Sequence, residues 1–164
     1  MRLFLAINVP EEFHEKLHNL QDELQKYVIG TKNRHFHITL HFFGEKSIQE
    51  MSKIIEALQT INYQRYINEE ILIRDLDFFG NRVLFLKVYG DRLKELYIDV
   101  CNKLNLREEE FIPHLTLYRV KKLLQSKQFI KNIKTEGFKM KMNLCLFESK
   151  LSTHEYIIHK KFFW

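Results

Sequence analysis

The sequence predicts an α+β fold built from two similar halves around one core. Three observations carry this. Segments of strand period alternate with segments of helical period, turn residues join neighbouring strands, and one His-x-Thr-Leu pattern occurs twice, 77 positions apart in a chain of 164 residues. That length fits a single bilobal domain over 1–164, with one His-x-Thr motif in each lobe, and a composition that is 45% hydrophobic is enough to fill an interior.

The elements follow in order. Arg2 to Val9 alternates, with Leu3, Leu5, Ile7 and Val9 on one side, as a strand does. Pro10, Glu11 and Glu12 supply the first turn of a helix whose apolar stripe is Phe13, Leu17, Leu20, Leu24 and Val28, and Gly30 stands where that helix should stop. His35 to Phe43 reads as a strand with Phe36, Ile38, Leu40 and Phe42 on one face and His35, His37, Thr39 and His41 on the other. Ser47 to Glu50 forms a capping box, and Ile48, Met51, Ile54, Ile55 and Leu58 continue that helix. Strands over Ile71 to Phe78 and Val83 to Val88 are joined through Gly80, Asn81 and Arg82, and Asp91 caps a third helix carrying Leu93, Leu96, Val100 and Leu104.

Phe111 to Val120 is the next strand, with Ile112, His114, Thr116 and Tyr118 on one face. Pro113 in it requires an edge position or the first paired residue. A short helix over Gln125 to Ile133 precedes a closing hairpin of Phe138 to Phe147 with Glu155 to Phe162.

Composition narrows the function classes. No apolar run is long enough to span a bilayer and the start shows no signal-peptide pattern, so a soluble, cytoplasmic protein is expected. Cys101 and Cys145 each sit in an apolar periodic segment and read as core residues in a reducing compartment, not as a disulfide or metal framework. A net charge of +5 favours anionic partners, although a solvated basic face explains the C-terminal lysines equally well.

The doubled pattern carries the chemistry. In His37-Ile38-Thr39-Leu40 and His114-Leu115-Thr116-Leu117, strand alternation puts each histidine and the threonine two residues later on one face. One such strand is explained by β propensity alone. Two copies about half a chain apart point to a shared cleft, where displacement at phosphorus needs a base on the attacking oxygen and an acid on the departing one. Threonine hydroxyls can donate to the non-bridging phosphoryl oxygens. His35 and His41 share the polar face of His37 and can line an RNA channel, or His41, further along the strand, is simply exposed, and Tyr118 either stacks a base or packs in the core. A zinc site from His35, His37 and either His41 or His114 is a rival reading, as is a non-catalytic module that binds RNA ends.

At these residues the chain resembles the two-histidine phosphoesterase superfamily and, within it, the RNA 2',3'-cyclic phosphodiesterases once called 2'-5' RNA ligases. The likeness runs from Arg2-Leu3-Phe4-Leu5-Ala6-Ile7-Asn8-Val9-Pro10, through His37-Ile38-Thr39-Leu40-His41-Phe42-Phe43-Gly44-Glu45 and Phe111-Ile112-Pro113-His114-Leu115-Thr116-Leu117-Tyr118-Arg119, to the ending from Leu146 through Tyr156. The resemblance implies two antiparallel sheets about a pseudo-twofold axis, helices outside and a central cleft. It implies His37 as proton donor to the leaving 3'-oxygen, His114 as the base that activates water, and Thr39, Thr116 and Arg119 as phosphate ligands. The expected substrate is RNA with a 2',3'-cyclic phosphate end, the expected product a 2'-phosphomonoester, with no cofactor or metal and a monomeric protein. Cleavage of 2'-5' linkages and the reverse joining of RNA ends stay open beside it.

Overall fold

The computed structural model describes residues 1–164. Its elements in chain order are β1 (Arg2–Asn8), α1 (His14–Leu24), β2 (Val28–Lys32), β3 (His37–Glu45), α2 (Ile48–Leu58), β4 (Glu70–Phe79), β5 (Val83–Tyr89), α3 (Leu93–Leu104), β6 (His114–Leu123), α4 (Lys127–Lys131), β7 (Phe138–Lys141), β8 (Leu144–Lys150) and β9 (Glu155–Phe163). They form two sheets, β3-β1-β8-β9 and β2-β6-β5-β4-β7, in which neighbouring strands are antiparallel. The α+β prediction and its two antiparallel sheets therefore hold.

The two sheets repeat one arrangement. Each histidine strand follows a helix that leads from the strand beside it: β1 passes through α1, and then β2 of the other sheet, to β3, and β5 passes through α3 to β6. One core cluster of 31 buried residues joins Leu5, Ile7, Ile38 and Leu40 of the first sheet to Leu84, Leu86, Leu115 and Leu117 of the second, together with Leu17, Leu58, Leu96 and Val100 of the helices. Phe4, Ala6, Cys145 and Phe147 form a separate small cluster on the other face of the first sheet. That second apolar face is what the alternation of β1 did not announce, because Leu3 through Ile7 are all buried. Both cysteines are free and buried, as expected of core residues. No helix is long and apolar enough to cross a membrane.

Several boundaries differ from the periodicity reading, each for a tertiary reason. Val28 and Gly30 belong to β2, not to the end of α1. Gly30 pairs with Val120, and a Cβ on it would lie 2.1 Å from the Arg119 carbonyl oxygen, so glycine is needed here for close approach of two backbones and not to stop a helix. The supposed single strand Phe138 to Phe147 is two: β7 pairs with β4 in the second sheet and β8 with β1 in the first. At the crossover the buried Asn143 side chain accepts from the Asn8 N–H at 2.9 Å and donates to the Asn8 carbonyl at 2.8 Å, supplying what a continuous ladder would have supplied. Helix α3 starts after Arg92 with no side-chain cap, so Asp91 does not play the capping part, whereas the Ser47–Glu50 capping box is present with both of its bonds. Pro113 falls just before β6, which is flanked on both sides by β2 and β5.

Candidate active site

The sheets meet at a cleft of about 490 Å³ whose lining includes His37, Thr39, His114, Thr116 and Arg119. The five residues singled out for catalysis and phosphate binding are thus brought together, although their motifs lie on different sheets.

Local geometry explains which neighbours join them. Cross-strand partners share a face, so the cleft face of the first sheet follows from its register: Asn8 opposite His37, Ala6 opposite Thr39, Phe4 opposite Phe42. Between the last two pairs β3 carries an extra residue, since Leu5 pairs with His41 and leaves Leu40 unmatched. A bulge of this kind shifts the alternation by one. His41, expected beside His37, is turned out of the cleft and packs its ring against Phe43 at 4.8 Å, while Phe42, expected in the core, lines the cleft with 69% of its surface exposed.

Strand β6 does the same thing. Thr116 pairs with Phe85 and Tyr118 with Leu84, leaving Leu117 unmatched. Tyr118, expected on the His114 face, is 2% exposed in the core, where its hydroxyl donates to the Gln21 carbonyl oxygen at 2.6 Å. Arg119 takes its place in the cleft, opposite Val83. Neither His41 nor Tyr118 therefore lines the cleft: Tyr118 is corrected as a candidate RNA contact by its burial, and the same backbone device at the same motif position turns His41 away from His37.

Each histidine sits against aromatic rings. His37 lies 4.9 Å from Phe4, 5.5 Å from Tyr156 and 6.1 Å from Phe147. Burial in that nest pushes its pKa down to about 4, and the neighbouring imidazoles of His35 and His114 act in the same direction. His114 packs edge-on against Phe79 at 4.7 Å and beside Phe85 at 5.3 Å, and burial lowers its pKa too, opposed by a bond from its ring to a backbone carbonyl. That bond joins Nδ1 to the Ile112 oxygen at 2.8 Å. A carbonyl only accepts, so Nδ1 carries the proton and neutral His114 keeps Nε2 as an acceptor.

The residues that hold this geometry left little trace in the sequence. Asn33 lines the cleft and its amide donates both to the His35 carbonyl at 3.0 Å and to the Thr116 carbonyl at 2.8 Å, tying the approach to β3 onto β6. The buried Gln21 amide adds bonds to the carbonyls of Asn33 at 2.7 Å and Leu117 at 2.9 Å. His35, weighed as a metal ligand or channel residue, stacks on Tyr156 with ring centres 4.1 Å apart, its Nε2 3.1 Å from the His154 carbonyl oxygen. Nothing in the sequence marks Asn33 or Gln21 as polar residues placed between strands.

The two-sheet α+β fold that frames this histidine-lined cleft is one that solved structures share. Solved structures with this fold include a Thermus thermophilus protein (TM-score 0.75, 22% identity, covering 99% of this chain and 97% of that one) and Escherichia coli LigT crystallised with ATP (TM-score 0.74, 20% identity, 98% and 95%). In sequence, the model of the LigT-like phosphoesterase family matches residues 7–83. The RNA 2',3'-cyclic phosphodiesterase of Methanocaldococcus jannaschii is 32% identical, the match covering 74% of this chain and 72% of the relative, and the Thermotoga maritima protein of the same name is also 32% identical, over 74% and 71%. The chain belongs to the LigT-like phosphoesterase family and is a hydrolase of that family.

Proposed function

We propose that the protein opens 2',3'-cyclic phosphate ends of RNA to 2'-phosphomonoesters, with His114 as proton acceptor and His37 as proton donor. The reading rests on one observation above all: two imidazoles from separate sheets line one cleft. The bond from Nδ1 of His114 to the Ile112 carbonyl leaves Nε2 of the neutral ring as an acceptor, which supports its part as the base. The names of the relatives support the substrate class.

In this reaction water attacks phosphorus while Nε2 of His114 takes its proton. The bond from phosphorus to O3' breaks and His37 protonates that oxygen, leaving a free 3'-hydroxyl and a phosphate on O2'. Exchange with solvent then returns a proton to His37 and removes one from His114. Thr39 and Thr116 donate to the non-bridging oxygens, and Arg119 pairs with their negative charge. The aromatic nest keeps His37 neutral until an anion arrives, and a bound phosphodiester then favours its imidazolium form. Proton storage on the donor is thus coupled to substrate binding.

The test is hydrolysis of a short RNA ending in a 2',3'-cyclic phosphate, with chelator present and the product's phosphate position identified. A 2'-phosphate product is expected. A 3'-phosphate would show that the bond from phosphorus to O2' breaks instead, and turnover only of 2'-5' linkages would replace the substrate.

A further inference from the structure

Both histidine strands run on past the phosphate site, and the charges at their two ends are arranged differently. Where β3 ends, the N-terminal amine lies 3.1 Å from Glu45 and Lys46 lies 3.6 Å from Glu50. Where β6 ends, Arg82, Arg119, Lys121, Lys122 and Lys127 are exposed, none of them forms an ion pair, and the chain holds no Asp or Glu from 111 to 135. Strand pairing gathers these five cations. Arg119 is opposite Val83 on one side and Thr31 on the other, the Arg82 carbonyl accepts from the Val120 N–H at 2.7 Å, and Lys127 donates to the Gly80 carbonyl of the same turn at 3.2 Å.

The register decides which of them continue the cleft. Gly30 is opposite Val120, a core residue, so its neighbours Thr31 and Ile29 stand on the cleft face, and with them their partners Arg119 and Lys122. Lys121 is left unmatched, the extra residue of one more bulge. This face is open, for Ile29 upon it is 49% exposed. Three residues at about 3.3 Å each carry Lys122 about 10 Å along the strand from Arg119, itself part of the cleft lining.

We propose that the open face of β2 and β6 is the track along which the RNA strand leaves the cleft, with Arg82, Lys121 and Lys122 on the phosphates upstream of the cyclic end. The inference rests on the reaction proposed above. A 2',3'-cyclic phosphate closes the 3' end of its strand, so the rest of the RNA lies on the 5' side and has to pass over one wall of the cleft. A single cyclic nucleotide needs only the cleft, whereas a row of unpaired cations that begins at a phosphate ligand suits a ligand with one charge per nucleotide. Contacts of that kind position the strand without reading its bases.

The experiment measures kcat/KM on a nucleoside 2',3'-cyclic phosphate and on an octanucleotide with the same end, over a range of salt. It compares wild type with the triple variant Arg82→Gln, Lys121→Gln, Lys122→Gln, and with a control of equal charge change on the helices, Lys53→Gln, Lys94→Gln, Lys103→Gln. The track predicts that wild type prefers the octanucleotide at low salt. It predicts that the first variant lowers kcat/KM on the octanucleotide on the order of tenfold, flattens the logarithmic salt slope by about 2, and leaves the nucleoside unchanged. The control should match wild type on both. No preference for length in wild type, equal losses on both substrates, or an equal loss in the control would overturn the track while leaving the reaction standing. Failure of wild type to turn over either substrate would overturn the reaction itself.

Discussion

Strands β3 and β6 carry the same four-residue pattern but stand differently in their sheets. β3 is an edge strand with β1 on one side, and its histidine rests in a nest of Phe4, Phe147 and Tyr156. β6 lies between β2 and β5, and its histidine is fastened through Nδ1 to the Ile112 carbonyl. Like motifs thus receive unlike electrostatic settings. Apolar burial acts on both rings, but only His114 has a carbonyl bond that fixes its tautomer and partly offsets the lowered pKa. The difference teaches that a repeated motif supplies two reacting groups, while their surroundings divide the work between them.

The sharpest way to break this comparison is to remove each ring. His37→Ala and His114→Ala should each lower turnover by about 10² to 10⁴ with circular dichroism unchanged. A loss confined to one variant would show that a single imidazole carries the chemistry. The pH dependence separates the settings further. Both pKa values lie below the ordinary histidine value, so kcat/KM of the free enzyme should peak on the acid side of about pH 6.5 and fall above it. The kcat profile should lie at higher pH, because bound phosphate stabilises imidazolium. Coincident profiles would show that substrate charge does not reach His37.

Thr39→Ala and Thr116→Ala test whether the symmetry extends to the hydroxyls. Loss of one charge-assisted hydrogen bond in each case predicts similar falls of roughly tenfold in kcat/KM. A large inequality would place the phosphate nearer one sheet.

Two stability measurements complete the series. Gly30→Ala forces β2 away from the Arg119 carbonyl and should cost on the order of 1–3 kcal/mol in denaturant unfolding, with no equivalent at the first motif, where β3 is an edge. An unfolded chain protonates histidine near pH 6.5, while folded His37 resists protonation down to about 4. Unfolding therefore becomes easier as pH falls between those values, and the stabilisation is fully present above about 6.5. His37→Gln should remove that part of the pH dependence, seen as a flatter thermal midpoint between about pH 7 and 4.

Much of this protein is determined by sequence alone. Helical stripes, the Ser47 capping box, the α+β class and the paired motifs all rest on interactions within a few residues, which a linear reading can follow. The shared face of each His-x-Thr pair is equally local, since a single strand residue lies between them. What the tertiary structure decided begins one residue later. Leu40 and Leu117 are each left unmatched by the neighbouring strand, and that mismatch sends His41 and Tyr118 away and brings Phe42 and Arg119 in. Strand pairing also claimed Val28 and Gly30 from a helix and split Phe138 to Phe147 between two sheets. Register depends on which backbone lies alongside, a contact between residues far apart in the chain, so alternation could be read up to each bulge and not across it.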